Sequence, residues 1–199
     1  MSKEEELYSE IAKYAKRDKA LLYSAFDAFL EKLDNQKINI VDWECGQGIA
    51  TTLLIDYIRE KQLNIDILKV FLVGSDKFAI SRAIANINAL KNNDNILISE
   101  INDDIIDIND LQTMDMDATI FLNLDSNIEK YYNLIKENDV LDFVYPIYYV
   151  CLNTKKHDIY MNEIYNFFKS GDMTTDYISN RLDKIGRFQR YEQIFKVDF

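Results

Sequence analysis

The amino-acid sequence predicts an α/β fold: a mostly parallel sheet covered by helices on both faces, with a helical extension in front and an antiparallel edge strand near the C-terminus. Three observations carry this expectation. From Ile38 onward, short apolar runs alternate with stretches of 3.6-residue periodicity. Two of the chain's five glycines bracket Gln47, where the first apolar run gives way to the first helical stretch. Near the end, Phe195, Val197 and Phe199 alternate with Lys196 and Asp198, the pattern of a strand with one wet face.

Residues 4 to 34 place Leu7, Ile11 and Tyr14, then Leu22, Ala25, Phe26, Phe29 and Leu33, at helical spacing, with an expected break at Lys16-Arg17-Asp18 that divides them into two helices. Ile38 to Asp42 reads as the first strand, and Ala50, Leu53, Leu54, Tyr57 and Ile58 line one face of the helix after it. Ile67 to Gly74 is a second strand, followed by a helix with Ile80, Ala83, Ile84 and Ile87 on one face. Further strands are expected at Asn95 to Ile101, Asp117 to Asn123 and Leu141 to Cys151, with helices near Asn127 to Lys136, His157 to Phe168 and Thr174 to Ile185. The aromatic residues Phe143, Tyr145, Tyr148 and Tyr149 around the single proline, Pro146, are expected in the core, although they would also suit an apolar pocket. The division expected is an extension over residues 1–37 and one α/β domain over 38–199.

At 199 residues the chain supports one domain with a substantial core, and 48% hydrophobic residues exclude disorder. Two cysteines and one histidine leave no four-thiolate metal site or disulfide framework, so no metal is expected. No apolar run is long enough to span a bilayer and the first residues lack a secretory pattern, so the expected setting is cytoplasmic, with no membrane partner. A net charge of -11 repels polyphosphate on average, so nucleic acid is not an expected partner. Arg181, Lys184, Arg187 and Arg190 would form a basic strip if their segment were helical; a solvated face is the simpler reading.

The junction Val41-Asp42-Trp43-Glu44-Cys45-Gly46-Gln47-Gly48 is the candidate site. Glycine permits a tight turn at positive φ and lets a ligand approach without meeting a Cβ, while the first N–H groups of the next helix favour electron-rich groups. The second strand ends Val73-Gly74-Ser75-Asp76, and a carboxylate there suits a ribose diol. Capping of the following helix by Ser75 or Asp76 explains the same residues, and the two roles are compatible.

These two segments, with Lys77-Phe78-Ala79 and Arg82-Ala83, resemble motifs I and II of class I S-adenosylmethionine-dependent methyltransferases over roughly residues 38 to 125. The resemblance implies a Rossmann-like three-layer sandwich and S-adenosylmethionine as cofactor. It places Asp42, Gly46 and Gly48 on the methionine side, Asp76 on the ribose, and Asp103 (or Asp104) on the adenine side, where a polar turn would account for the residues as well; Glu44, Cys45 and Asn123 are further cofactor-binding candidates. Glu44 stands where that family has its first glycine. In this detail the segment resembles the GRAS domain, whose turn reads Asp, aromatic, acidic, apolar, Gly, Gln, Gly, and whose bacterial members act on or bind small molecules.

No general base stands out, so the catalytic residues stay unassigned. His157 fits a surface or capping role. Asn123 or Asp125 would meet a substrate at the sheet's carboxyl edge, and capping by Asp125 or Ser126 explains that segment without one. The absence of Gly-Lys-Ser/Thr excludes a P-loop, and the missing third glycine disfavours a dinucleotide oxidoreductase. The expected function is a methyltransferase-like protein acting on or binding a small molecule. A non-catalytic GRAS-like binding or interaction module is the alternative, and a homodimer through the N-terminal helices a further expectation.

Overall fold

The computed structural model describes residues 3–90, 95–102, 111, 115–124, 128–137, 144–153, 159–171 and 173–199, the side chains of residues 3–8 and 10–14 excepted. Its elements are α1 (Lys3–Phe26), β1 (Lys37–Trp43), α2 (Ile49–Glu60), β2 (Asp66–Val73), α3 (Lys77–Leu90), β3 (Leu97–Ile101), β4 (Ala118–Leu124), α4 (Glu129–Glu137), β5 (Ile147–Asn153), α5 (Ile159–Ser170), β6 (Thr174–Ile185) and β7 (Phe188–Asp198). The seven strands form one sheet in the order β3-β2-β1-β4-β5-β7-β6. Five are parallel, and β7 runs antiparallel between β5 and β6, so the antiparallel pair makes the C-terminal edge. This is the Rossmann-like methyltransferase fold, with helices on both faces.

The central strands are buried on both faces because each residue parity meets a helical layer. Ile38, Ile40, Val70, Leu72, Ile120 and Leu122 pack beneath α1, α2 and α3; Val41, Trp43, Phe71, Phe121 and Tyr149 pack beneath α4 and α5. Each fully buried Phe or Leu is worth about 2 kcal/mol of apolar transfer, so both layers hold the sheet firmly. On the second face Tyr131 and Tyr149 bury both hydroxyls and pair them at 2.9 Å. Burial pushes both phenols up, because neither can ionise without water. The core packing expected of Tyr148 and Tyr149 is present, Tyr148 stacking on Phe29 at 5.4 Å between ring centroids. Phe143 lies outside the described residues.

Two expectations fail here. The N-terminal segment is one helix through Lys16-Arg17-Asp18, not two. Charged residues alone do not break a helix; no Gly or Pro interrupts the segment, and Arg17 pairs with Asp18 at 2.6 Å. From Leu21 to Leu33 the extension fills the same core as β1: Leu21, Leu22, Ala25, Phe26, Phe29, Leu30 and Leu33 are all buried. That half commits its apolar face within its own chain.

The segment Thr174–Ile185, expected to be helical, is the strand β6. Its apolar residues Tyr177, Ile178, Leu182 and Ile185 mimic helical spacing because a β-bulge between Tyr177 and Ser179 inserts a residue and shifts the alternation. Thr174, Thr175 and Tyr177 favour extended backbone, and Gly186 at φ 58° turns the chain into β7. The basic strip therefore does not form. Arg190 is buried, donating to Asp183 at 2.6 and 2.7 Å, to Glu192 at 3.3 Å and to Ser24 of α1 at 2.7 Å. Glu192 is fully buried and also accepts from Ser179, which ties the hairpin to the N-terminal helix through ionic and hydrogen-bonded contacts.

Candidate functional site

The parallel registers bring the carboxyl ends of the inner strands level: Trp43 lies beside Val73 and Asn123, Val73 beside Ile101, and Asn123 beside Cys151. In this order the sheet reverses direction of growth at β1, between β2 and β4, which is where open α/β sheets hold ligands. The turn Glu44–Gly48 leaves β1 at that point. Three of its residues have positive φ: Glu44 at 54°, Gly46 at 49° and Gly48 at 70°.

Each residue of the turn plays a separate part. Cys45 donates its N–H to Val73 O at 2.9 Å and accepts from Gly48 N at 2.7 Å, so the turn is pinned to β2 and closed on itself. Its thiol is buried and pushed up by that burial, with the charges of Asp42 and Glu44 adding to the effect, which disqualifies it as a nucleophile at neutral pH. Gly46 is exposed and a Cβ built there would meet nothing within 4 Å, so open space lies against its backbone. Gly48 is different. A Cβ there would stand 2.8 Å from the Ala83 Cβ, so this glycine lets α2 approach α3. Asn86 of α3 donates to Gln47 O at 3.1 Å and steadies the same turn.

Asp42 points to the face of α2. It is buried, and its Oδ2 accepts from Thr51 Oγ1 at 2.7 Å and from Thr51 N at 3.3 Å. Gly48 at the start of α2 offers no side-chain cap, so Asp42 supplies an acceptor to the first turn from beneath. Burial raises its carboxyl to about 7, and the two Thr51 hydrogen bonds hold it from going higher. Glu44, in contrast, is exposed to solvent.

Asp76, exposed at the end of β2, accepts from Phe78 N at 3.0 Å and Ala79 N at 3.2 Å through Oδ1. It caps α3, and Ser75 does not. Next to it Phe78 exposes an aromatic ring beside the same edge. Asn123 ends β4 on the opposite face from Asp42, buried, and accepts from the Cys151 thiol at 3.5 Å. Asp103, Asp104, Asp125, Ser126 and His157 lie outside the described residues. The structure thus gathers Asp42, Glu44, Cys45, Gly46, Gly48, Asp76 and Asn123 at one end of the sheet. Thr51 and Asn86 were not anticipated; of these Thr51 carried a sequence signal, as the hydroxyl three residues after Gly48 and one turn into the helix, whereas Phe78 and Ala83 belonged to the segment that resembles motif II.

A cavity of about 1020 Å³ lies at the other end of the sheet, lined in part by Lys37, Arg59, Asp66, Lys69, Leu97 and Asp115. It belongs to the amino ends of β1, β2 and β3 and is separate from the turn. Among the described residues no group of acidic, His and Cys side chains is placed to hold a metal ion. Among them, too, no helix is long and apolar enough to cross a membrane.

No family model and no curated protein matches the sequence. Solved structures match the fold. One is M. capricolum TrmK in complex with the cofactor product S-adenosyl-homocysteine, at 13% identity and TM-score 0.52, covering 85% of this chain. This chain spans 65% of that one. An rRNA methylase from Streptococcus thermophilus matches at 14% identity and TM-score 0.54, covering 89% of this chain and 96% of its own. The small RNA methyltransferase HEN1 matches at 12% identity and TM-score 0.56, covering 92% of this chain and 25% of its own. The neighbours are of the class I S-adenosylmethionine-dependent methyltransferase type.

Two of these neighbours act on RNA, against the expectation that nucleic acid is no partner. The net charge of -11 does not by itself exclude such a partner. At physiological salt a field decays over about 8 Å, so the groups lining a cleft decide its ligand and the molecular average does not.

Proposed function

We propose that this chain binds S-adenosylmethionine across the carboxyl ends of β1 and β2 and methylates an RNA acceptor. One observation carries the reading: the Glu44–Gly48 turn bends away from β1 at the switch point of the sheet, leaving open space against Gly46 with the carboxylate of Asp76 at the tip of the neighbouring strand. These residues fit the cofactor. The exposed Gly46 backbone gives the approach a side chain would deny, and Asp76 offers acceptor oxygens for a ribose diol while Oδ1 caps α3. Asp42 positions rather than binds; by holding Thr51 it fixes the first turn of α2, whose N–H groups face the turn.

When bound, the cofactor supplies a sulfonium-borne methyl group that an electron pair on the acceptor can take. The two titratable groups buried beneath the turn are poor bases for that step. Cys45 is held protonated, and Asp42 is engaged by Thr51. An acceptor nitrogen with a free in-plane lone pair and no proton requires no base, and the pyridine-type ring nitrogens of nucleobases have this property. The neighbours' RNA substrates support RNA as the acceptor.

The test is transfer of a tritiated methyl group from S-adenosylmethionine to unmodified transcribed RNA. Label in RNA that falls to background in Asp76→Ala supports the reading. Label absent from RNA across ribosomal, transfer and small RNA pools contradicts it. Glu44, at positive φ in place of glycine, favours a second reading as a cofactor-binding module without transfer, in which S-adenosylhomocysteine binds and no acceptor is labelled.

A further inference from the structure

The C-terminal edge of the sheet ends on β6, with no strand beyond it among the described residues. An edge strand presents a row of unpaired N–H and C=O groups, and proteins either block such an edge or use it. The bulge between Tyr177 and Ser179 blocks the first part. From Ser179 to Ile185 the strand is regular and pairs residue by residue with β7 on its inner side. Within this run Leu182 is 64% exposed, a large apolar side chain in the middle of a polar edge.

The flanking residues give that leucine meaning. Arg181 and Asp183 sit one position either side of it, with opposite charges, and both share the face of Glu192 and Arg190, while Leu182 takes the other face beside Tyr191. An edge charged to repel its own copies would carry one sign. Here the signs are self-complementary: if two copies of the strand run antiparallel about a two-fold axis at Leu182, Leu182 faces Leu182, and Arg181 of each copy faces Asp183 of the other. Both residues of each pair then lie on the same sheet face, as cross-strand pairing requires. The Asp183 carboxylate is already fixed by Arg190 and its side chain is half exposed, so it stands ready for a second cation without reorganising.

We propose that the Ser179–Ile185 edge of β6 pairs with the same edge of a second copy of this chain, joining two sheets into one across a two-fold axis at Leu182. The contact is isologous, so it closes as a dimer and does not grow into a filament. It uses the opposite end of the sheet from β3 and leaves the Glu44–Gly48 turn open, and it does not depend on the methyltransferase reading.

Sedimentation equilibrium on the whole chain, from micromolar to several hundred micromolar, tests it. The wild type is expected to double its mass with concentration. Leu182→Asp and Leu182→Lys, each folded by thermal melt because the side chain is exposed, are expected to stay monomeric alone, since like charges meet at the axis. Mixed in equal amounts they are expected to form a dimer again, because Asp then faces Lys. A wild type that is monomeric throughout overturns the proposal and leaves the edge to another chain or to none. Variants that dimerise like the wild type, or a mixture that stays monomeric, overturn it as well, because a different surface or register would be in use.

Discussion

Asp42 is a carboxyl group buried beneath a glycine-rich turn, and it makes the protein's stability depend on pH in an unusual direction. Its folded-state value near 7 stands above the ordinary aspartate value of 3.8 because burial penalises the charged form. The native state therefore holds a proton that the unfolded chain has lost. Stability contributed at this position is present at low pH and falls as pH rises from about 4 to about 7, the reverse of a salt-bridged aspartate. Between pH 5 and pH 8.5 the penalty on the folded state grows by about 3 kcal/mol. Asp42→Asn removes the titration and keeps an oxygen for the Thr51 hydroxyl and N–H. Urea unfolding of both proteins at the two pH values isolates the effect, because every other titrating group is shared. The variant is expected to gain about 3 kcal/mol on the wild type between pH 5 and pH 8.5. A difference between the two proteins that does not change with pH would refute the reasoning, and so would one that moves the other way.

The remaining predictions concern packing and pairing. Gly48→Ala puts a Cβ 2.8 Å from that of Ala83 and should cost more stability than Gly46→Ala, which meets open space and incurs only the positive-φ strain of about 1 kcal/mol; chemical denaturation of the two variants compares them. Adding Ala83→Gly should restore part of the loss in the first variant and none in the second. Tyr131→Phe and Tyr149→Phe should each cost about 1–2 kcal/mol by stranding a buried hydroxyl, while the double variant should cost less than the sum, a coupling that a double-mutant cycle reads directly. Arg190→Met should cost about 3 kcal/mol or more, because Glu192 is fully buried beside it, and thermal melts should show that Arg190→Met with Glu192→Gln recovers part of this loss.

The strands of the parallel sheet were legible because each is a short apolar run between turn residues: Ile38–Asp42 lies within β1, and Ile67–Gly74 overlaps β2 almost throughout. The turn at Gly46 and Gly48 was legible too, since so few glycines occur that two together mark a backbone need. What escaped was tertiary. A bulge disguised β6 as a helix, and nothing in the sequence around Thr174 reveals that β7 would pair with it. Gly48 reads as a ligand-facing glycine until Ala83, thirty-five residues away, is seen against it. The same holds for Asp42, whose partner Thr51 follows on the next helix and turns the carboxylate into a support. Net charge does not identify a partner, because it averages over the surface a property that a cleft sets locally.

The most direct test of the account is calorimetric titration with S-adenosylhomocysteine, comparing the wild type with Asp76→Asn. Asparagine caps α3 as well as aspartate does, so the comparison isolates the ligand contact from helix stability. Saturable binding of one ligand per chain, weakened about tenfold in the variant, is the result predicted. No heat at millimolar ligand would contradict the cofactor site, and equal binding by both proteins would contradict its placement at Asp76.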